Sequence, residues 1–336
     1  MKKGITHLIP ILLAVGILLF HVSPSLAGGG KNYPLGAEDF LSGAVPPPGF
    51  YFLNYAYYYK GNDLADDSGD DIEIFDEAEV KADVLRFLWV SDQQIAGGFY
   101  GQHLFIPFLD VDVDFKQPVG AKGKSHYSDS GVPYVIYSPF ILSWHLMEGK
   151  LHLVTSLVDT YIPMGNEEDG NLANVGRNYW GFEPVLAATW MPTKNLELSL
   201  KMMYDFYTSQ DDYATPFGDV DRDPGQEFHF DYSISYALNP SWRLGVNGYY
   251  HQQITKDDYD EDDYANSPLL DLGVPMSVVT DFFENEEKAL SRVFAIGPGV
   301  WFNHKNIFLS LKSQYESNAK TMTEGYNVWF KFIYGF

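Results

Sequence analysis

The chain ends in "NVWFKFIYGF" (residues 327–336), in which Val328, Phe330, Phe332, Tyr334 and Phe336 occupy every second position. This alternation is typical of a β-strand with one apolar face. In a soluble protein, such a face on an edge strand would promote aggregation. In a membrane barrel, the same face contacts lipid and the strand pairs with the first one, so no edge remains. The choice between these two environments depends on the rest of the chain.

The bulk composition favours an exported envelope protein. The 336 residues carry a formal charge of −23, which argues against nucleic acid as a partner. Cysteine is absent, so neither disulfides nor thiolate metal sites are available. Aromatic residues make up 16% of the chain, more than a soluble core needs. The length alone permits one large domain or two ordinary ones.

Residues 1–27 have the layout of a secretory signal peptide. Lys2 and Lys3 precede an apolar run at 8–20, and the small-residue site "SLA" (25–27) follows. The alternative is an uncleaved anchor, but the run is shorter than the roughly 20 residues that a spanning helix needs. We therefore expect a mature chain that begins near Gly28.

Period-2 alternation recurs along the mature chain and predicts an all-β protein. The clearest case is "NLELSLKMMYDFY", in which apolar and polar residues alternate throughout. We expect a membrane-spanning, antiparallel, up-and-down β-barrel of about 12 strands, because each segment is long enough to cross a bilayer at a tilt. The predicted strands are 49–60, 78–90, 96–109, 133–147, 150–163, 179–191, 195–207, 226–238, 242–253, 292–303, 306–316 and 327–336.

The connections between these segments alternate between long and short. This is the pattern of an outer-membrane barrel, with short periplasmic turns and long external loops. The long connections are also acidic, as in "KDDYDEDDYAN". We favour a solvated, repulsive surface over divalent-cation binding, because no EF-hand spacing is present. The short turns are 91–94, 147–150, 192–195, 239–241 and 304–306, and the long loops are 61–77, 110–132, 164–178, 208–225 and 254–291.

The chain before the first strand is predicted to be a separate small unit. Pro46, Pro47 and Pro48 impose an extended backbone that cannot donate to a β-ladder. Residues 28–48 are therefore expected to form a periplasmic lead-in or a small plug inside the lumen. The barrel itself is predicted to span residues 49–336.

If the aromatic faces contact lipid, the opposite faces line the lumen. Polar side chains there either stiffen the wall through ion pairs and hydrogen bonds or set selectivity at a constriction, and both interpretations remain open. The predicted lumen-lining or selectivity residues are Glu197, Lys201, Asp205, His229, Asp231, Arg243, Asn247, His251, Lys312, Glu316 and Lys331.

Several segments together resemble the MetA-pathway phenol-degradation family of outer-membrane barrel transporters. They are "YPLGAEDFLSGAVPPPGFY", "SPFILSWHLMEGKLHLV", "NVGRNYWGFEPVLAATW" and "PGQEFHFDYSISYALNPSWRLGVNGYYHQQITKDD", in this order. The resemblance extends over nearly the whole mature chain. It implies passage of aromatic or other hydrophobic small molecules across the outer membrane.

We predict no enzyme activity, cofactor or metal. No G-x-S-x-G, H-x₃-H or H-E-x-x-H motif occurs in the chain. His229, Asp231 and Ser233 share one strand face, but that face is predicted to point into the lumen rather than toward a lipid substrate.

The strand pattern predicts a barrel in the outer membrane of a Gram-negative-type bacterium, and the family resemblance implies that it is a channel for passive uptake of small hydrophobic or aromatic compounds. The expected partners are outer-membrane lipid, lipopolysaccharide, the small solutes, and the barrel-assembly machinery, which would recognise the strand that ends at Phe336. The main alternative is a non-transporting structural or surface-interaction barrel. A channel predicts an open lumen, whereas the structural barrel predicts a filled one. A soluble binding barrel would require inward-facing aromatic residues and outward-facing charges. The alternation of long and short connections along the chain disfavours it.

Overall fold

The computed structural model describes residues 33–119, 123–165, 171–215, 217–267, 270 and 273–336, so the predicted signal peptide lies outside the described residues. Twelve strands, numbered along the chain together with four shorter ones, form the barrel wall. They are β1 (Gly49–Leu64), β2 (Phe75–Ile95), β3 (Gly98–Val119), β5 (Tyr134–Leu146), β6 (Leu151–Pro163), β7 (Gly181–Trp190), β8 (Leu196–Tyr207), β11 (Glu227–Ala237), β12 (Trp242–Gln253), β14 (Arg292–His304), β15 (Ile307–Lys320) and β16 (Thr323–Gly335).

The first and last strands close the barrel. Within β1, Tyr55 is paired with Val84 of β2 on one side and with Lys331 of β16 on the other. Each remaining wall strand pairs antiparallel with its sequence neighbours in the wall. The C-terminal strand therefore has no free edge along its length, and the prediction of a closed, antiparallel, 12-stranded barrel is confirmed.

Alternation along each strand separates an outer apolar face from a filled interior. In β16 the side chain of Phe330 is 41% exposed, whereas its neighbours Trp329 and Lys331 are 1% and 5% exposed. Inside, Trp329 packs on Tyr57, with ring centroids 4.1 Å apart. The outward row of aromatics and the inward polar row follow from the two-residue period of the strand. Among the described residues, no helix is long and apolar enough to cross a membrane.

Among the described residues, four of the five connections predicted to be long loops contain regular structure, including the ends of β1 and β2 within 61–77. β2 and β3 extend past their predicted ends at 78 and 109, and Phe75 pairs with Phe115. The hairpin continues because Val111 and Val113 are buried in the extension, and packing of these side chains stabilises the additional strand pairing. The additional elements are β4 (Lys124–Gly131), β9 (Gln210–Thr215), β10 (Gly218–Asp223), β13 (Asp258–Tyr259), α1 (Glu261–Tyr264) and α2 (Met276–Lys288).

The connections predicted as loops at 208–225 and 254–291 fold together. Strands β9, β10 and β13 form a three-stranded sheet, and Phe283 of α2 stacks on Tyr264 of α1 at 4.5 Å. Arg222 is buried beside them, with its guanidinium 3.2 Å from Asp257 and 3.7 Å from the Tyr213 ring centroid. Tertiary packing of widely spaced aromatic residues thus organises segments whose local sequence is acidic and polar.

Candidate functional site

Residues 33–46, which we call the luminal segment, lie inside the barrel and are held by Asp231 of β11. One oxygen of this buried carboxylate accepts hydrogen bonds from the Tyr33 hydroxyl at 2.7 Å and the Glu38 N–H at 3.0 Å. The other oxygen accepts from the Gly36 N–H at 3.0 Å. Gly36 has a φ of 75°, a conformation that favours glycine. A single wall carboxylate therefore fixes a tight turn of the segment.

Three cations from the wall surround the two acids of the luminal segment. Lys331 Nζ lies 2.5 Å from Asp39 Oδ1 and 3.2 Å from Glu38 Oε2, and Arg86 Nη1 lies 2.8 Å from Glu38 Oε1. Lys312 Nζ donates to three consecutive backbone carbonyls of the segment. Burial by itself raises the pKa of Glu38, but the charges of Lys331 and Arg86 hold that pKa well below its ordinary value. Glu38 thus stays ionised, and the contacts of Glu38 and Asp39 with these cations bind the segment to the wall.

The luminal segment approaches the opposite wall at Gly43. The Gly43 N–H donates to Thr189 Oγ1 at 2.9 Å, and the Leu41 N–H donates to Glu197 Oε1 at 3.0 Å. A Cβ atom at position 43 would lie 2.5 Å from the backbone of Ala188, closer than carbon atoms can pack. Glycine at this position is what allows the segment to lie directly on β7.

A cavity of about 180 Å³ remains between the luminal segment and the wall. Its ionisable lining groups are Glu38, Arg86, His103, Asp159, Lys201 and Lys331. The rest of the lining is largely apolar, with contributions from Leu41, Val45, Leu53, Leu88, Ile141, Val154, Val185, Ala187, Trp301, Phe308 and Ile333. An apolar chamber with charged groups on part of its wall can hold a hydrophobic molecule that bears one polar substituent.

A second, smaller cavity of about 30 Å³ lies next to the first and is rich in aromatic lining groups, including Tyr33, Phe105 and Tyr161. Glu38, Asp159 and Lys201 line both cavities, so these charged groups lie between them. A volume of this size holds on the order of one or two waters. A ring-sized molecule would therefore need the luminal segment or these side chains to move before it could pass from one cavity to the other.

A serine, a histidine and an aspartate meet at the wall of the larger cavity, but their hydrogen bonds do not activate the serine. Arg86 Nη2 lies 2.9 Å from His103 Nδ1, and because arginine can only donate, this ring nitrogen must accept. The proton of the neutral imidazole is then on Nε2, which donates to Ser138 Oγ, and the Ser138 hydroxyl donates to Asp159. A hydrolytic triad needs the opposite polarity, with Nε2 accepting the serine proton.

Ten of the eleven predicted lumen residues are buried, and Lys201 is partly buried. Glu197, Lys201, Asp231, Lys312 and Lys331 contact the luminal segment directly, a role that the sequence did not specify. Their contribution to selectivity stays a prediction.

The remaining predicted residues form wall contacts. Arg243 Nη1 lies 4.0 Å from Glu197 Oε2, and His229 Nε2 lies 2.8 Å from Asp205 Oδ2. Glu316 accepts hydrogen bonds from the hydroxyls of two tyrosines, at 2.8 Å and 2.5 Å. Gln314 donates to Asn247 at 2.7 Å, and His251 lies 3.1 Å from the Ser291 hydroxyl. Each of these contacts joins side chains of the wall, and both wall stiffening and selectivity stay predictions for these residues.

Alternation in the sequence did not identify the polar residues of the first half of the barrel, among them Arg86, His103, Asp159 and Glu183. In β2, Val84, Arg86 and Leu88 alternate with residues that are also apolar, so both faces look similar and the period-2 signal is weak. One feature of the sequence could have identified them: a single ionisable residue inside an otherwise apolar strand. Burial of such a residue destabilises the fold unless its charge is paired, so it indicates a buried partner.

Comparison with known proteins places the chain in a family. A family model described as "Putative MetA-pathway of phenol degradation" matches residues 61–332. The chain belongs to this family. No curated protein matches the sequence.

Solved structures agree with the barrel architecture. A crystal structure of an outer membrane channel from Pseudomonas putida F1 has 14% sequence identity and a TM-score of 0.66, and covers 87% of this chain and 97% of that one. This likeness shows the fold alone. A deletion mutant of TodX, a monoaromatic hydrocarbon channel, has 11% sequence identity and a TM-score of 0.45, and the match covers 87% of this chain and 91% of that one. The transport unit of the autotransporter AIDA-I from Escherichia coli has 10% sequence identity and a TM-score of 0.45, and the match covers 96% of this chain and 97% of that one. These two scores are too low to carry an argument.

Proposed function

We propose that this member of the family is an outer-membrane channel for passive uptake of small aromatic or other hydrophobic molecules. The observation that carries the proposal is the cavity of about 180 Å³ inside the barrel. An apolar cavity of roughly 150 Å³ in another protein binds benzene, so the volume here suits a single aromatic ring. The lining supports the same class of solute, because Leu88, Ile141 and Val154 offer apolar contact.

Passage requires rearrangement of the luminal segment. Its two acids are bound to wall cations, and the smaller cavity next to the site is too narrow for a ring. The solute would enter the larger cavity, and transient release of the segment would let it continue. The driving force is the concentration gradient, and no energy source or cofactor is part of the proposal.

The outward-facing surface supports a membrane location. Leu186, Ile234 and Leu311 are each about half exposed on the barrel exterior, which is costly in water and favourable in lipid. We include outer-membrane lipid and lipopolysaccharide as partners, and the barrel-assembly machinery as the receptor of the strand that ends at Phe336.

The test is uptake of labelled phenol, toluene, a long-chain fatty acid and a sugar by cells with and without the gene. Faster uptake of phenol and toluene, with no change for the sugar, is the expected result. Equal uptake of every solute by both strains would overturn the proposal.

The second candidate is a non-transporting structural barrel. The observation that favours it is the filled lumen, in which Asp231, Lys312 and Lys331 bind the luminal segment. It predicts equal solute uptake with and without the protein. It also predicts an envelope that becomes more sensitive to detergent when the protein is lost.

A further inference from the structure

Three ionisable side chains from adjacent strands meet inside the barrel, behind Tyr33 and Tyr161, which line the smaller cavity. Glu183 is on β7, Asp205 on β8 and His229 on β11, and all three are at least 99% buried. His229 Nε2 lies 2.8 Å from Asp205 Oδ2 and 3.5 Å from Glu183 Oε2. One potential ligand atom from each residue lies within 4.8 Å of the other two. None of the three lines either cavity.

The hydrogen bonds of this cluster are incomplete. Glu183 Oε1 and Asp205 Oδ1 are buried and have no hydrogen-bond partner among the residues that the structure describes. A buried, unsatisfied polar atom costs about 1–3 kcal/mol, and more when the group is charged. Neither carboxylate forms an ion pair with a lysine or arginine of the described ranges, so His229 is the single ion-pair partner of both. The cluster therefore has an excess of negative charge and spare oxygen lone pairs.

We propose that Glu183, Asp205 and His229 bind a divalent transition-metal ion of the Zn²⁺ type. One imidazole and two carboxylates are ligands that such ions accept, whereas Ca²⁺ and Mg²⁺ favour oxygen alone. Tetrahedral bonds of about 2.0–2.2 Å place ligand atoms roughly 3.4 Å apart. The distances from His229 Nε2, 2.8 Å to Asp205 Oδ2 and 3.5 Å to Glu183 Oε2, lie on either side of that spacing. The ion would neutralise the excess charge and join three neighbouring strands.

The surroundings hold the proposed ligands in place. Tyr161 donates to Glu183 Oε2 at 2.8 Å, which orients that carboxylate as outer-shell partners do in metal sites. The ring of Tyr33 packs on the His229 imidazole, with centroids 4.8 Å apart. The luminal segment thus covers one side of the site.

The competing account is a metal-free ion pair between protonated His229 and Asp205. This account involves no metal ion, and it leaves Glu183 Oε1 and Asp205 Oδ1 without hydrogen-bond partners. The two accounts differ in whether the folded protein binds metal tightly at these residues.

The experiment uses the mature, detergent-purified barrel, stripped with chelator and titrated with Co²⁺ as the spectroscopic probe and with Zn²⁺ in competition. We expect one tight site per chain. His229→Gln or Glu183→Gln removes a direct ligand and should weaken binding by at least about 100-fold, beyond the 10- to 100-fold typical of outer-shell changes. Tyr161→Phe should weaken it by about 10-fold.

The matched control is His126→Gln, because His126 lies beside Asp112 and Asp114 on the exposed β3–β4 hairpin. It should leave the tight site unchanged, and heat-dependent mobility in SDS gels verifies that each variant is folded. For ligand variants that do not fold, X-ray absorption of the Zn²⁺-loaded His126→Gln protein should give one histidine nitrogen and otherwise oxygen ligands. The absence of a tight site, equal losses in the His229 and His126 variants, or a spectrum without histidine would overturn the proposal.

Discussion

Removal of the Asp39 carboxylate should release the luminal segment. This buried group lies 2.5 Å from Lys331 Nζ and 3.8 Å from Lys312 Nζ, and accepts a hydrogen bond from Ser310. Loss of one member of a buried ion pair costs roughly 3–5 kcal/mol. We expect a cost near the lower value, because Lys331 still forms its ion pair with Glu38 and Lys312 still donates hydrogen bonds to backbone carbonyls. About 3 kcal/mol corresponds to a roughly 100-fold larger population of the undocked segment.

The assay measures how often the segment leaves the wall. The chain contains no cysteine, so Ala37→Cys places a single buried thiol inside the barrel. Its rate of modification by a small hydrophilic maleimide reports the undocked population. Asp39→Ala should raise this rate about 100-fold. Asp67→Ala, an exposed acid on the β1–β2 connection, is the matched control and should not change it. A rate that stays within twofold of the parent's would refute the docking argument.

Three further predictions follow from individual contacts. Gly43→Val should also increase labelling of the buried thiol, because its side chain collides with the β7 backbone; unchanged labelling would contradict this close approach. A serine-directed fluorophosphonate should not label the folded protein, because His103 donates toward Ser138 and so cannot accept its proton; labelling that Ser138→Ala abolishes would contradict the assignment. Deletion of Phe336, whose N–H donates to the Phe50 carbonyl at 3.1 Å, should lower the amount of assembled barrel in membranes, and normal assembly would contradict its proposed role as a recognition signal.

The barrel could be predicted because side chains alternate between the two faces of every wall strand, and this alternation is visible in most of the barrel's sequence. The two faces of a barrel strand have different surroundings, so their residues alternate: in β16, Trp329 and Lys331 are buried inside the barrel and Phe330 is exposed on its exterior. The outer elements could not be predicted in the same way. Phe217 packs against Phe282 at 4.9 Å across more than sixty residues of chain, and no local period encodes such a contact.

The candidate site was predictable in its parts but not as an arrangement. Alternation identified Asp231 and Lys312 as inward-facing, yet their partners are backbone groups of residues 36–38, which carry no periodic signal. Glu38 and Asp39 stand in a segment that the sequence left open between a lead-in and a plug. Only the three-dimensional register brings them to Arg86 and Lys331.

The central claim is that solutes use the cavity of about 180 Å³, and two adjacent alanines of β7 provide the most direct test. Ala187 lines the cavity, whereas Ala188 belongs to the outward-facing set of the same strand. Uptake of labelled phenol and toluene should be measured in cells that contain equal amounts of folded Ala187→Phe or Ala188→Phe protein. The account predicts that Ala187→Phe reduces uptake to the level of cells without the protein and that Ala188→Phe leaves it unchanged. Equal uptake by the two variants would contradict it.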